Sequence, residues 1–149
     1  MGAFPGVPLN VDLKIDAAEL AVDLLRRLGA EQQVTLASFS SATLRRVRAL
    51  GYPGPTSLGR SEVVRLVFLP AIAQRGPLAP PGQRAQLPLY LAKPWMIRRC
   101  HALGLRVDFW TVNDPSLAAA LVAMGADGVM TDDPESIVQA VRKSEEGER

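Results

Sequence analysis

The sequence is poor in the residues that most often carry out chemistry. Its 149 residues include one cysteine, Cys100, and one histidine, His101. A single cysteine excludes an internal disulfide and a cysteine-rich zinc site, and it agrees with a reducing compartment. Because no second histidine could activate it, Cys100 is expected to be a buried packing residue rather than a nucleophile. His101 falls within a predicted helix, where a packed or solvent-facing role is favoured over acid–base catalysis.

The charge and the hydropathy of the sequence argue against two further classes of protein, those that bind nucleic acid and those that span a membrane. The net charge of +2 is too small to indicate a nucleic-acid partner, and the arginines are scattered over several predicted helices. No apolar run approaches the roughly 20 residues that span a bilayer. Asp12 and Lys14 interrupt the region where the apolar core of a signal peptide would lie. We therefore expect a cytoplasmic protein without stable membrane insertion.

Strands and helices are predicted to alternate, most clearly near the C-terminus. An alternating apolar run at residues 107–111 predicts a strand, and Asp114 with Pro115 is typical of a helix start. Gly125 supplies the left-handed residue that ends this helix, and residues 127–131 form a second short apolar run. Two parallel strands joined by a helix explain this order, because parallel neighbours need a crossover connection.

The same unit recurs along the chain. The predicted strands are residues 7–15, 33–38, 53–58, 85–90, 107–111 and 127–131, and the predicted helices are residues 17–28, 42–50, 61–70, 95–103, 117–124 and a last one from about residue 135. About six such units are two short of a closed barrel. The fold class predicted is α/β, an incomplete TIM (β/α)8 barrel of about six parallel strands alternating with helices over residues 1–141, followed by a charged tail at residues 142–149.

The first predicted helix has a pronounced apolar side. Asp16 is expected to cap it, and its Leu20, Leu24, Leu25 and Leu28 share one face. We expect that face to be buried against the sheet.

Two predicted strands carry polar residues that a fully buried parallel strand would not need. Asp12 and Lys14 are two residues apart and share one face, as do Arg106, Asp108 and Trp110. Barrel enzymes build their sites from residues at the C-terminal ends of such strands. Two alternatives stay open from the pattern alone: a solvated Asp12–Lys14 pair on a half-exposed sheet, and Trp110 as a core residue.

The sequence resembles the glycerophosphodiester phosphodiesterase family of metal-dependent barrel hydrolases. The main match is WTVND at residues 110–114, followed by GADGVMTDDP at residues 125–134. Weaker matches that are specific in combination are the Phe4-Pro5 entry, LNVDLK at 9–14, Ser38-Phe39, PTSLGRSEV at 55–63 and AQLPL at 85–89. The resemblance covers nearly the whole chain up to about Ile137.

The resemblance implies a role for four side chains. Asp12 stands where the family has a Glu that binds a divalent cation, Ca²⁺ or Mg²⁺, and Lys14 matches a lysine that contacts phosphate. Gln86 falls where a site-facing Gln is found, and Trp110 matches a residue that lines the substrate pocket. The chemistry agrees with these roles, because hard cations prefer carboxylate oxygens and an ammonium group offsets phosphate charge.

The resemblance also implies that other parts of the site are missing. The His-Arg, Glu-x-Asp and His-Asp motifs of the family do not occur in the sequence, which would begin at the third barrel strand. No catalytic residue is therefore assigned. The expected function is hydrolysis of glycerophosphodiesters to glycerol 3-phosphate and an alcohol in lipid metabolism, without activity in these residues alone. The expected partners are a small-molecule glycerophosphodiester and either the missing N-terminal segment or a second copy. The alternative is a non-catalytic barrel-derived module that associates with a partner through open sheet edges.

Overall fold

Strands and helices alternate along the part of the chain that the computed structural model describes, residues 6–147. The strands are β1 (Leu9–Asp12), β2 (Val34–Ala37), β3 (Arg84–Pro88), β4 (Arg106–Trp110) and β5 (Gly128–Val129). The α-helices are α1 (Ala18–Leu28), α2 (Ser41–Ala49), α3 (Arg60–Phe68), α4 (Pro94–Ala102), α5 (Pro115–Ala123) and α6 (Pro134–Gly147). The α/β class is thereby confirmed, although the strands within residues 6–147 do not close into a barrel. Phe4 and Pro5 lie outside the described residues.

The chain divides into two compact units, Met1–Arg84 and Ala85–Arg149. In the first, β1 and β2 run parallel, with Leu9 opposite Val34. The strand predicted at residues 53–58 is reduced to isolated parallel bridges at Thr56 and Ser57. Two prolines in that segment remove backbone donors, which limits the ladder that can form there.

Helix α1 corrects two expectations from the sequence. Its buried side chains are Ala18, Val22 and Leu25. Three of the four leucines expected in the core, Leu20, Leu24 and Leu28, are instead exposed. The N-cap residue is Ala17 with no side-chain hydrogen bond, so Asp16 does not cap the helix. The face of α1 with Ala18 and Val22 packs on the sheet together with Leu25, and Leu20, Leu24 and Leu28 lie on the opposite side.

A buried ion pair joins α2 to α3 in the first unit. The Arg48 guanidinium donates to both carboxylate oxygens of Glu62, at 2.7 and 3.3 Å. It also donates to the hydroxyl of Thr56 at 3.0 Å and to the carbonyl of Ser57 at 2.7 Å. Glu62 in turn accepts the Gly59 N–H at 2.8 Å. This network fixes the connection from the bridged segment into α3.

In the second unit, β4 lies between β3 and β5 and pairs in parallel with β5. Val107 and Phe109 of β4 are fully buried. Helix α5 begins as predicted, because the Asp114 carboxylate accepts the backbone N–H groups of Ser116 and Leu117 at 2.8 and 3.1 Å. Helix α6 continues to Gly147 and so includes residues 142–147 of the predicted tail.

Candidate functional site

Asp12 and Lys14 come together at the C-terminal end of β1. Asp12 is the last residue of the strand, and the Lys14 ammonium forms an ion pair with its Oδ2 atom. The Lys14 side chain is 72% exposed, whereas that of Asp12 is 29% exposed. The Lys14 Nζ atom also lies 5.4 Å from the centroid of the Phe39 ring, within the range of a cation–π contact. The two residues therefore share one face, as their spacing predicts.

Backbone and hydroxyl hydrogen bonds hold this strand end in place. The Leu13 N–H donates to the Ala37 carbonyl at 2.7 Å, and the Ser38 hydroxyl donates to the Leu13 carbonyl at 2.8 Å. The same hydroxyl accepts the Ser40 N–H at 3.2 Å. Ser38, which matched the family motif, is buried and ties the ends of β1 and β2 together.

A cleft of about 510 Å³ opens beside Lys14. Arg46 lies on its wall, as do Asp16, Glu19 and residues from the first turn of α2. Arg46 pairs with Glu19, whose pKa is held below its ordinary value by a backbone hydrogen bond and by the Arg46 guanidinium. Both cations of the cleft therefore have an acidic partner already. A phosphate would bind here by replacing a carboxylate, aided by the N-terminus of α2.

The predicted metal finds only one candidate ligand here. The Oδ1 atom of Asp12 is buried and has no hydrogen-bond partner among the described residues, which leaves an acceptor available to a cation. Within residues 6–147, however, no group of three His, Cys, Asp or Glu side chains could hold a metal ion. Ca²⁺ and Mg²⁺ take about six or more oxygen ligands, only some of them water. The described residues do not hold the predicted cation by themselves.

Gln86 and Trp110 lie in neighbouring strands of the second unit. Gln86 is in β3 between the buried Ala85 and Leu87, so it faces the other side of the sheet and is half-buried. Trp110 ends β4 and is half-buried, and the peptide bond that links it to Thr111 is cis. Both residues keep part of their surface accessible, as side chains that contact a ligand must.

His101 lies at the other end of β4. Its Nε2 atom donates to Asp127 Oδ2 at 2.9 Å, and the Val107 N–H donates to the same oxygen at 2.8 Å. Burial opposes ionisation of Asp127, but these donors and Arg106 hold its pKa below the ordinary value. Because Val107 is near the start of β4, His101 joins α4 to the strand far from the end where barrel sites form. This position agrees with the prediction that His101 is a packed or solvent-facing residue of a helix.

Cys100 is completely buried in α4. Burial raises the pKa of its thiol to about 12, so it carries almost no thiolate at neutral pH. The prediction of a packing residue is confirmed.

The sequence did not reveal the Glu19–Arg46 pair or the role of Gly128. Glu19 and Arg46 are 27 positions apart on different helices, so no local spacing connects them. Gly128 lies opposite Asp108 in the β4–β5 pair, and a side chain at this position would meet the Asp108 carboxylate. An isolated glycine within a short apolar strand is a signal for such a close approach.

Comparison with known proteins agrees with the family resemblance seen in the sequence. The model of the glycerophosphoryl diester phosphodiesterase family matches residues 106–135, which include β4, α5 and β5. A Mycobacterium tuberculosis protein named as a probable glycerophosphodiester phosphodiesterase is 32% identical, over 87% of this chain and 53% of its own length. The chain thus spans about half the length of this curated relative.

Solved structures share the fold. A glycerophosphodiester phosphodiesterase from Parabacteroides distasonis superposes with a TM-score of 0.75 at 21% identity, over 93% of this chain and 59% of that one. A phosphodiesterase from Oleispira antarctica, solved with the product sn-glycerol-3-phosphate, gives 0.70 at 21% identity, over 92% and 56% of the two chains. The sequence motifs, the family model, the curated relative and the shared fold all indicate the glycerophosphodiester phosphodiesterase family.

Proposed function

We propose that this chain forms part of an enzyme that hydrolyses glycerophosphodiesters to glycerol 3-phosphate and an alcohol in lipid metabolism, with Lys14 as a contact to the phosphate. The observation that carries the proposal is the position of the Lys14 ammonium. It lies just beyond the C-terminal end of β1, is largely exposed and borders the cleft. Barrel enzymes bind substrate at this end of their strands. The Oleispira antarctica relative was solved with glycerol 3-phosphate bound, which supports a ligand of this class.

The surroundings of Lys14 suit a dianionic ligand more than a neutral one. Lys14 and Arg46 lie on one cleft with the first turn of α2, so two cations and a positive helix end are close together. Their present partners, Asp12 and Glu19, are single carboxylates in exposed or partly exposed ion pairs. Exposed pairs of this kind are weak. The phosphate of glycerol 3-phosphate carries more charge than a carboxylate near neutral pH, so it can replace them at small cost.

The remaining site residues are proposed by family resemblance. Gln86 and Trp110 would contact the substrate, and their half-buried positions leave surface for that purpose. Asp12 would supply one oxygen to a divalent cation, with its partnerless Oδ1 as the available atom. Because the described residues offer no further ligands, we propose that any metal is completed by carboxylates outside them. A cytoplasmic location is proposed from the single reduced cysteine.

A binding experiment tests the role of Lys14 directly. We expect sn-glycerol 3-phosphate to shift the NMR signals of residues around the cleft, and Lys14→Ala to weaken binding by about tenfold, which corresponds to ~1.4 kcal/mol. Lys93→Ala removes an exposed lysine of the second unit and serves as the matched control. Equal affinities of the Lys14 and Lys93 variants would contradict the proposal.

An activity experiment tests the enzyme assignment. With Ca²⁺ or Mg²⁺, the 149-residue chain alone should release no glycerol 3-phosphate, because it lacks the family's other catalytic motifs. When the N-terminal part of the Mycobacterium tuberculosis relative precedes it, diesterase activity should appear. In that protein Lys14→Ala should lower kcat/KM by about 100-fold, whereas His101→Ala should leave it nearly unchanged. A large loss from the histidine change would overturn the assignment of roles.

A second candidate is a non-catalytic module that associates with a partner through an open sheet edge. The observation in its favour is that β1 has only β2 as a strand neighbour within the described residues, and Val11 on β1 is exposed. This candidate predicts specific association without affinity for glycerol 3-phosphate. The same NMR titration therefore separates the two.

A further inference from the structure

Acidic residues are almost absent from the middle of the chain. Between positions 32 and 107 the only one is Glu62, whereas the same stretch holds eleven lysine and arginine residues. Glu62 is buried, and its carboxylate already pairs with Arg48. The small net charge of +2 therefore conceals a strongly basic central part, which is balanced by acidic residues nearer the two ends of the sequence.

Large apolar side chains of this basic part are exposed on and beside α3. Val64 and Phe68 are four residues apart on the helix and so lie next to each other, with exposed fractions of 49 and 80%. Ile72, in the turn after the helix, and Phe39, just after β2, are also more exposed than buried. Apolar side chains that are grouped in this way on a surface are typical of a binding surface.

Two arginines lie among these apolar side chains. An open groove of about 640 Å³ between α2 and α3 is lined by Phe39, Ser41, Arg45, Arg60, Ser61 and Val64. The Ser61 hydroxyl donates to that of Ser41 at 2.7 Å and so joins the first turns of the two helices. Arg45 and Arg60 are exposed and take part in none of the ion pairs among the described residues. We name as the α3 surface the five side chains of Phe39, Arg45, Arg60, Val64 and Phe68.

We propose that the α3 surface binds the face of a lipid bilayer that contains anionic phospholipids. The two arginines match the negative phosphates of the head groups, and the side chains of Val64 and Phe68 enter the boundary between head groups and acyl chains. Helix α3 has nine residues, so it lies along the bilayer and does not cross it. This proposal goes beyond the phosphodiesterase assignment, because it concerns where the protein is held rather than what it hydrolyses.

Two other occupants fit the α3 surface less well. A nucleic acid would contact the arginines, but the aliphatic Val64 and Ile72 offer its bases no face for stacking. The N-terminal part of the enzyme proposed above would pair with the open edge of β1. Strand β2 lies between β1 and the bridged segment that leads into α3, so α3 is not the helix next to that edge.

Co-sedimentation with vesicles measures the binding and its charge dependence. The 149-residue chain should bind vesicles of equal parts phosphatidylcholine and phosphatidylglycerol at least about tenfold more strongly than vesicles of phosphatidylcholine alone. Arg60→Gln should weaken binding to the anionic vesicles about fivefold. Arg27→Gln, which removes an exposed arginine of α1 that is paired with Asp23, is the matched control and should change binding little. No preference for anionic vesicles, or equal losses from the two variants, would overturn the proposal.

The apolar contribution separates a bilayer from other anionic partners. Phe68→Ser should weaken binding to the same vesicles at least about fivefold, because the ring no longer enters the bilayer. Leu20→Ser alters a similarly exposed apolar side chain on α1 and should leave binding nearly unchanged. The far-UV circular dichroism of both variants should match that of the original chain. Binding that survives Phe68→Ser would show that the arginines act alone, and an equal loss from Leu20→Ser would assign the contact to α1.

Fluorescence reports whether position 68 enters the bilayer. Phe68→Trp keeps the side chain aromatic, and its emission is taken as the difference from that of the original chain. This emission should shift to shorter wavelength with the anionic vesicles and should be quenched by lipids brominated on their acyl chains, whereas Leu20→Trp should show neither effect. An emission from position 68 that stays typical of exposed tryptophan would overturn the proposal. None of the substituted residues lines the Lys14 cleft, so this proposal and the phosphodiesterase assignment can fail separately.

Discussion

The carboxylate of Asp108 occupies the space that a side chain on Gly128 would need. The two residues face each other in the parallel β4–β5 pair, and a Cβ atom on Gly128 would lie 2.8 Å from Asp108 Oδ1. Asp108 is only 5% exposed, so its carboxylate has little room to move aside. The shortest strand of the structure therefore depends on a residue without a side chain.

Gly128→Ala is expected to lower the free energy of unfolding by about 1–3 kcal/mol, because the added methyl group crowds a buried carboxylate. Chemical denaturation measures this loss. In a double-mutant cycle with Asp108→Ala, the added cost of the alanine at position 128 should nearly vanish, since the carboxylate is gone. Simple additivity of the two changes would show that the crowding arises elsewhere.

Glu62→Gln is expected to destabilise the first unit strongly. The change leaves the Arg48 guanidinium, 18% exposed, without its carboxylate, and breaking a buried ion pair in this way costs about 3–5 kcal/mol. The exposed pair between Glu19 and Arg46 is the matched control, and Glu19→Gln should have a much smaller effect on thermal unfolding. Similar losses of stability in the two variants would contradict the expectation that burial determines the cost of breaking an ion pair.

The pH dependence of stability is expected to report on Asp127. Its folded-state pKa lies below the ordinary value, so the unfolded chain binds more protons at mildly acid pH and the stabilisation is present above about pH 4. It is lost as the pH falls through the depressed value. Asp127→Asn should therefore flatten the acid side of the stability curve measured by denaturation at several pH values. An unchanged slope would show that Asp127 has no stabilising partner in the folded state.

Cys100 is expected to resist thiol reagents in the folded protein. With its pKa raised to about 12 by burial, the thiol is almost wholly protonated at pH 8 and is also out of reach of reagent. A chromogenic disulfide reagent should react with less than one equivalent over hours in buffer and with one equivalent at once in denaturant. Fast reaction in buffer would mean that α4 opens locally.

The sequence was most informative where a local chemical rule decides the structure. Asp114 caps α5 because its carboxylate reaches two backbone donors of the next turn, and that depends only on neighbouring residues. Gly125, which follows α5, has a φ of 97°, a conformation that glycine adopts without strain. Asp12 and Lys14 likewise come together as their two-residue spacing predicts, although Lys14 lies two residues beyond the end of β1.

Prediction from the sequence failed where two orientations of a helix satisfy the same local rule. Helix α1 has small apolar residues on one side and leucines on the other, so periodicity alone does not decide which side meets the sheet. The structure buries Ala18 and Val22 and exposes Leu20 and Leu24. Capping by Asp16 failed because the chain enters α1 through Ala17 instead.

Long-range pairs could not be predicted at all. Arg48 and Glu62 are 14 residues apart on different helices, and their contact exists only once both helices are placed. The same holds for the Lys14 ammonium over the Phe39 ring, which joins the ends of two strands. The strand directions could be read from the sequence, but the partners of its charged side chains could not.

The network around Arg48 limits which amino-acid substitutions the first unit can accept during evolution. One guanidinium serves the carboxylate of Glu62 and two groups of the bridged segment at Thr56 and Ser57, so any change at position 48 leaves several buried groups unsatisfied at once. Positions 48 and 62 are therefore expected to be inherited as a pair.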